Sequence, residues 1–110
     1  MELTPTVQLL YEATRRLNKS TEEIFHLARA RAETERAYAI ELSKTLLRLR
    51  AEGVPATLCG DLARGEVADY RFERDLATER HRSALAAMEA LSVEIKALQS
   101  IANYQSEIGK

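Results

Sequence analysis

The chain has little of what builds disulfide frameworks, membrane spans or sheets. Its one cysteine, Cys59, excludes an intramolecular disulfide. Aromatic residues make up 5 % of the chain, tryptophan is absent, and β-branched residues never alternate with polar ones over a useful length. No apolar run approaches the roughly 20 residues that cross a bilayer, and Met1–Pro5 lacks the basic and apolar segments of a signal peptide. We therefore expect a soluble, cytoplasmic protein.

A charge excess of one sign is also missing. The formal net charge is −1: residues 1–52 carry nine Lys and Arg against eight Asp and Glu, and residues 53–110 carry seven against nine. Proteins that bind nucleic acid through its phosphates usually have a basic excess. The balance over the whole chain therefore argues against nucleic-acid binding.

Motifs for catalysis and metal binding are absent as well. The sequence holds no Walker loop, GxGxxG, HExxH or Ser-His-Asp arrangement. His26 follows Glu22 by four residues, but one His and one Glu fall short of a metal site. We interpret His81 as a polar residue at a helix contact and Cys59 as a small buried residue. The sequence predicts no enzymatic activity, no metal and no cofactor.

Charged residues make up 30 % of the chain, and together with abundant Ala and Leu they are typical of long helices. Thr4 and Pro5 form a helix start. A heptad stripe follows at Leu3, Val7, Leu10, Thr14, Leu17, Thr21, Ile24, Ala28, Arg31, Glu35, Tyr38, Leu42, Thr45 and Leu49. Ser20 with Glu23 fits a capping box, which would break this helix near Lys19. The stripe continues in phase there, so we favour one helix over about residues 5–52.

The segment Glu52-Gly53-Val54-Pro55 interrupts the helical pattern near the midpoint. Gly53 can take the left-handed conformation that ends a helix, and Pro55 delays a new one. We expect a structured connection over residues 53–65, in which Gly60 opens a short helical turn and Gly65 closes it. A second helix over about residues 66–108 has its stripe at Val67, Tyr70, Arg74, Ala77, His81, Ala84, Met88, Leu91, Ile95, Leu98, Ala102 and Gln105.

These elements predict an all-α, coiled-coil-like antiparallel hairpin that forms one domain over residues 1–110. Its two stripes should bury Leu42, Leu49, Leu91 and Leu98, with Tyr70 and Ala77 facing the first two. Two helices bury only one thin layer, and small chains with a poor core usually oligomerise. We therefore predict a homodimer or higher oligomer that completes a four-helix bundle. The interface candidates are Leu46, Leu47, Leu76, Leu85 and Ile101.

Five arginines fall near the predicted turn: Arg48, Arg50, Arg64, Arg71 and Arg74. Together they would form a basic patch for nucleic acid. Six carboxylates occupy the same zone, at Glu52, Asp61, Glu66, Asp69, Glu73 and Asp75. A neutralised surface is the favoured interpretation, and a nucleic-acid contact is the alternative.

Three segments resemble small uncharacterised helical proteins encoded by phages and prophages of Gram-positive bacteria. They are residues 38–44 (YAIELSK), residues 49–58 (LRAEGVPATL) and residues 61–65 (DLARG). The resemblance implies an accessory role near replication and recombination genes, but it brings no activity and no functional residues. We expect a non-enzymatic assembly or adaptor protein that binds copies of itself or another phage or host protein. The alternative is an accessory of nucleic-acid metabolism.

Residues 27–44 resemble part of the helical core of F-BAR domains. That resemblance implies a basic, concave dimer that bends membranes. The membrane-facing basic clusters of the family have no counterpart here, so membrane binding is the weakest of the three hypotheses.

Overall fold

The computed structural model describes residues 4–109, and across them the chain is all-helical, as predicted. The helices are α1 (Pro5–Ala51), α2 (Ala56–Glu66) and α3 (Ala68–Ile108). The backbone N–H of Val7 donates to Oγ1 of Thr4 at 3.3 Å, so Thr4 caps α1 as predicted. α1 then passes Lys19 without a break. Leu3, the predicted first member of its stripe, lies outside the described residues.

α1 ends in a Schellman motif built around Gly53. The N–H of Val54 donates to the carbonyl of Leu49 at 3.0 Å, and the N–H of Gly53 donates to that of Arg50 at 3.1 Å. Gly53 has a φ of +85°, so the left-handed conformation predicted for it is confirmed. Because a side chain at this φ meets its own backbone, glycine is the residue that fits here.

The connection is more helical than the sequence predicts. α2 begins directly after Pro55, whose carbonyl accepts hydrogen bonds from the N–H groups of Leu58 and Cys59 at 2.9 and 3.1 Å. Pro55 therefore starts this helix instead of delaying it, since the N-cap position needs no N–H donor. Gly60 and Gly65 both lie inside α2, so the prediction that they open and close a turn was wrong. A helix tolerates glycine at a cost of about 1 kcal/mol, which burial of neighbouring side chains offsets.

A single residue, Val67, separates α2 from α3. Its N–H donates to the carbonyl of Ala63, and its own carbonyl accepts from the N–H of Arg71, both at 3.1 Å. The side chain of Val67 is buried. Helical hydrogen bonding therefore passes through the junction, close to the predicted start at residue 66.

Contacts divide the chain into two compact units. The terminal unit comprises Met1–Phe25 and Arg82–Lys110, and the central unit comprises His26–His81. The terminal unit contains the first part of α1 and the last part of α3, and the central unit contains the rest of both helices and all of α2.

The central unit has a small apolar core in which α2 covers the end of α1. Leu49, Cys59 and Ala63 are buried together, and Leu42, Leu46 and Val54 pack against them. The Sγ–H of Cys59 donates to the carbonyl of Val54 at 3.4 Å. The core therefore forms between helices that the Gly53 turn brings together.

Tyr70 does not supply the surface that was predicted to cover Leu49. Leu49 is 4 % exposed, whereas Tyr70 is 44 % exposed. α2 takes that place because it is a full helix with buried residues of its own. Ala77, the other residue predicted to face this part of α1, is buried, and Leu42 is half-buried.

The terminal unit buries much less. Its buried described residues are Ala13 and Leu91, and Leu98 is half-buried. Arg16 forms an ion pair with Glu94, Nη2 to Oε1, at 3.2 Å. The predicted stripe of α3 nevertheless faces inward here, because its members from Ala84 to Ala102 are buried or half-buried. We call this set the inner stripe: Ala84, Met88, Leu91, Ile95, Leu98 and Ala102.

Candidate interaction surfaces

Four of the five arginines near the turn form ion pairs with carboxylates of the central unit. Arg48 pairs with Glu52 and Glu66, Arg64 with Asp61, and Arg71 and Arg74 both with Asp75. Arg74 also lies over the ring of Tyr38, 4.4 Å from its centroid. Each pair places a negative charge beside the cation, so the geometry agrees with a neutralised surface.

Arg48 is the most strongly paired of these arginines. Its hydrogen bonds to Glu66, first, and to Glu52 raise the pKa of the Arg48 guanidinium above its ordinary value. The contact with Glu66 joins the end of α1 to the end of α2. The contact with Glu52 is local, because Glu52 follows Arg48 by four residues. Arg48 therefore connects α1 with α2 at the turn.

The five predicted interface residues are placed differently by the fold. Leu46 packs against the central core and is half-buried, so only part of its side chain remains accessible to a partner. Leu76 is also half-buried, whereas Leu47, Leu85 and Ile101 are exposed. Leu46 is partly covered because α2 adds a helix that the stripe pattern of α1 does not reveal.

A depression of about 410 Å³ lies between α1 and α2 in the central unit. Its lining includes Leu46, Leu47, Arg50 and Cys59. Leu47 is 67 % exposed beside it. The central unit also exposes Ile40, Leu58, Leu62, Tyr70 and Phe72, so this depression is one of its apolar surfaces.

A second apolar stripe runs along α3 in the terminal unit, and every member of it is exposed. At 100° per residue its side chains fall within an arc of about 80°, and its centre lies about 140° around the helix from the inner stripe. We call it the outer stripe: Ala86, Ala90, Val93, Ala97, Ile101, Tyr104 and Ile108. Val93, Tyr104 and Ile108 are each 63–66 % exposed.

The outer stripe repeats every eleven residues, and that repeat is the signal that the heptad pattern missed. Ala86, Ala97 and Ile108 are eleven apart, as are Ala90 and Ile101, and Val93 and Tyr104. An eleven-residue period follows a nearly straight helix with 3.67 residues per turn. Ile101 is the one member of this stripe among the five predicted interface residues.

A groove of about 530 Å³ opens beside the outer stripe, between α1 and α3 of the terminal unit. Ala87, Ala90 and Leu91 form its apolar side. Its polar lining is Arg16, Lys19, Ser20, Glu23 and Glu94. The two helices therefore leave space above Ala90 that their own side chains do not fill.

The contacts and burial of the two histidines and the cysteine favour structural roles for these residues. Arg31 Nη1 lies 3.2 Å from His81 Nδ1, and because Arg can only donate, this ring nitrogen accepts. His81 is half-buried, as expected for a polar residue at a helix contact, His26 is exposed, and Cys59 is buried. Within residues 4–109, no group of three His, Cys, Asp or Glu side chains is placed to hold a metal ion. None of the helices in that range has both the length and the apolar character of a membrane span.

These observations define an all-α protein whose exposed surfaces include apolar helix faces and an arginine cluster paired with carboxylates. Comparison with protein-family models, curated proteins and solved structures finds no match to this chain.

Proposed function

We propose that this chain is a non-enzymatic helical assembly protein that works by associating with copies of itself. The observation that carries the proposal is the exposed surface. The chain exposes 8466 Å², whereas a folded monomer of 12.4 kDa is expected to expose about 6,100 Å². In the described part of the chain no large side chain is completely buried.

Apolar residues supply much of this exposed surface. Fourteen large apolar side chains are exposed among residues 4–109, and eight of them belong to the terminal unit. Contiguous apolar faces on a water-soluble chain mark sites of association. The same unit has the thinner core, so association would stabilise it most.

The proposed protomer is the antiparallel hairpin. Two polar contacts between α1 and α3 support it: Arg16 with Glu94 and Arg31 with His81, separated by 78 and 50 residues. The number of residues between the two partners falls from 78 to 50 as the contact moves from Arg16 to Arg31 along α1. The sequence separation of contacts falls in this way when two helices run antiparallel. Two such hairpins would form a four-helix core with helices crossing at roughly 20°.

Sedimentation equilibrium over a range of micromolar concentrations tests the proposal. We expect the mass of a dimer, and a melting temperature that rises with protein concentration because association stabilises only the folded chain. A monomer mass together with a concentration-independent melt would refute self-association.

Two other hypotheses have their own tests. An accessory of nucleic-acid metabolism would bind DNA with an affinity that falls steeply with salt, since each phosphate contact releases counterions. The pairing of Arg48, Arg64, Arg71 and Arg74 with carboxylates disfavours it. Membrane binding of the F-BAR kind would show as pelleting with anionic liposomes. If the resemblance to phage and prophage proteins reflects the role of this chain, the dimer would also bind a phage or host protein.

A further inference from the structure

We propose that the outer stripe of α3 is the surface on which the second copy docks, with the two α3 helices antiparallel and the two-fold axis passing beside Ala97. The inference rests on the self-association proposed above and adds the face, the direction and the register. Its starting point is that all seven members of the stripe are exposed, apolar and on one side of the helix.

The order of side-chain sizes along the stripe is self-complementary. A two-fold axis at Ala97 pairs position 86 with 108, 90 with 104 and 93 with 101, because each pair is placed symmetrically about residue 97. Alanines then face large side chains: Ala86 meets Ile108 and Ala90 meets Tyr104 of the second copy. In a two-fold interface each such contact occurs twice. Facing small and large residues interdigitate, which is how helix surfaces reach close packing.

A parallel pairing of the same stripe lacks this complementarity. It would place Ala86 against Ala86 at one end and Tyr104 against Tyr104 at the other. The alanine end would then be loose while the bulky end held the helices apart. The antiparallel register places an alanine against a large side chain at both ends of a contact about 33 Å long, with Ala97 facing Ala97 at its centre.

The groove of the terminal unit provides room for the largest side chain of the stripe. Ala90 lines both the groove and the stripe, and the proposed register sets Tyr104 of the second copy over it. Lys19 and Glu23 on the polar side of the groove offer partners to a phenol hydroxyl. A buried tyrosine usually finds such a partner.

The area that the chain exposes in excess fits a second copy. The excess over a folded monomer of the same mass is roughly 2,300 Å² per chain. A standard-size interface removes about 800 Å² from each partner, and obligate dimers remove more. One contact along α3 is therefore of the right order to relieve the excess.

One feature of the register opposes association and makes it testable. Glu89 and Glu107 lie on the same flank of the stripe, and the antiparallel pairing brings Glu89 near Glu107 of the second copy. Like charges at an exposed rim repel, and salt screens them. Added salt should therefore strengthen this dimer.

Engineered cysteines test the register in the full-length chain. Ala97→Cys should form a disulfide-linked dimer on mild oxidation, because position 97 faces itself across the axis. Ala86→Cys alone should not, since its two copies would be about 33 Å apart. Mixed with Ile108→Cys chains, it should form a linked heterodimer. The wild type is the control, because Cys59 is buried and should not cross-link.

Each cross-linking outcome decides the inference. Linkage at 97 and between 86 and 108, with none between two copies of 86, supports it. Linkage of Ala86→Cys with itself shows a parallel pairing and overturns it. A dimer in sedimentation that links at none of these positions overturns the face while self-association stands. A wild-type monomer overturns both.

Charge variants measured by sedimentation give an independent readout. Ile101→Asp should weaken dimerisation roughly a hundred-fold or more, because two carboxylates enter the contact for each dimer. Leu47→Asp, at an exposed leucine of the central unit, is the matched control and should change it little. If Leu47→Asp dissociates the dimer and Ile101→Asp does not, the proposed face is wrong.

Glu89→Lys should act in the opposite direction and tighten the dimer several-fold, since it turns two repulsive contacts into two attractive ones. Misfolding does not produce a tighter dimer of defined mass, so this variant complements Ile101→Asp. Weaker dimerisation by Glu89→Lys would contradict the antiparallel register.

Discussion

The central and terminal units use the same two long helices but differ in what covers them. In the central unit α2 packs its Cys59 and Ala63 against Leu49, and the apolar stripe of α1 is covered within the chain. The described residues of the terminal unit, 4–25 and 82–109, form no third helix. Among them Ala13 and Leu91 are buried, and a groove remains open beside Leu91.

This difference shows how much the burial of apolar side chains depends on one short helix, α2. Two helices in contact bury one stripe each, so a third is needed to cover a second face. The Gly53 turn provides that third helix in the central unit. The terminal unit keeps the outer stripe of α3 exposed, which is why we locate self-association there.

The largest expected effect is at the centre of the better-packed unit. Leu49→Ala should lower the free energy of unfolding by about 3 kcal/mol, because it leaves a cavity against Cys59 and Ala63. Urea denaturation at fixed protein concentration measures it. Leu47→Ala, two residues earlier and exposed, should stay within about 0.5 kcal/mol of the wild type.

The corresponding change in the terminal unit should cost less. Leu91→Ala should lower the free energy of unfolding by about 2 kcal/mol, since the adjacent groove admits water and little new cavity forms. The same denaturation experiment compares the two variants. A loss as large as that of Leu49→Ala would mean that the two units are packed equally well.

The turn between α1 and α2 comes next. Gly53→Val should cost on the order of 1 kcal/mol or more, because a β-branched residue resists the φ of +85°. A Cβ at Gly53 meets no atom within 4 Å, so the cost lies in the backbone alone. Gly65→Ala is the control, with an expected effect in the opposite direction. Gly65 lies inside α2 and a Cβ there meets no atom within 4 Å, so alanine should raise the free energy of unfolding by about 0.5–1 kcal/mol. An unchanged melting temperature for Gly53→Val would show that the turn does not depend on this conformation.

The smallest effect is expected where α1 begins. Thr4→Ala removes the side-chain acceptor of the Val7 N–H and should cost about 0.5–1 kcal/mol. Thr4→Ser keeps the hydroxyl and should be close to neutral. Loss of helix signal near 222 nm at moderate temperature, before the main transition, is the sensitive measurement. Equal behaviour of the two variants would show that the cap does not stabilise α1.

Local features of the fold could be predicted because their causes lie within a few residues. The cap at Thr4, the uninterrupted α1 and the conformation of Gly53 depend on backbone sterics and neighbouring hydrogen bonds. The helical state of Gly60 and Gly65 could not be predicted in the same way. Glycine ends a helix in some contexts and is tolerated inside one in others. Here the burial of Cys59 and Ala63 favours a helix that continues through both glycines.

The candidate site could be predicted only in part. Ile101 and Leu47 are exposed, whereas Leu46 is partly buried against a core that α2 completes. The arginines near the turn were identified from sequence, and the carboxylates beside them as well. Which arginine pairs with which carboxylate depended on the position of α2, which brings Glu66 to Arg48.

By itself, the amino-acid sequence determined the two long helices, the break at Gly53 and the presence of two apolar stripes on α3. Periodicity is a property of one helix, and both stripes have it in the bare sequence. Only the tertiary structure decided that Cys59 and Ala63 of α2 cover Leu49, in the place predicted for Tyr70. Burial depends on which neighbour lies against a face, and no single helix carries that information.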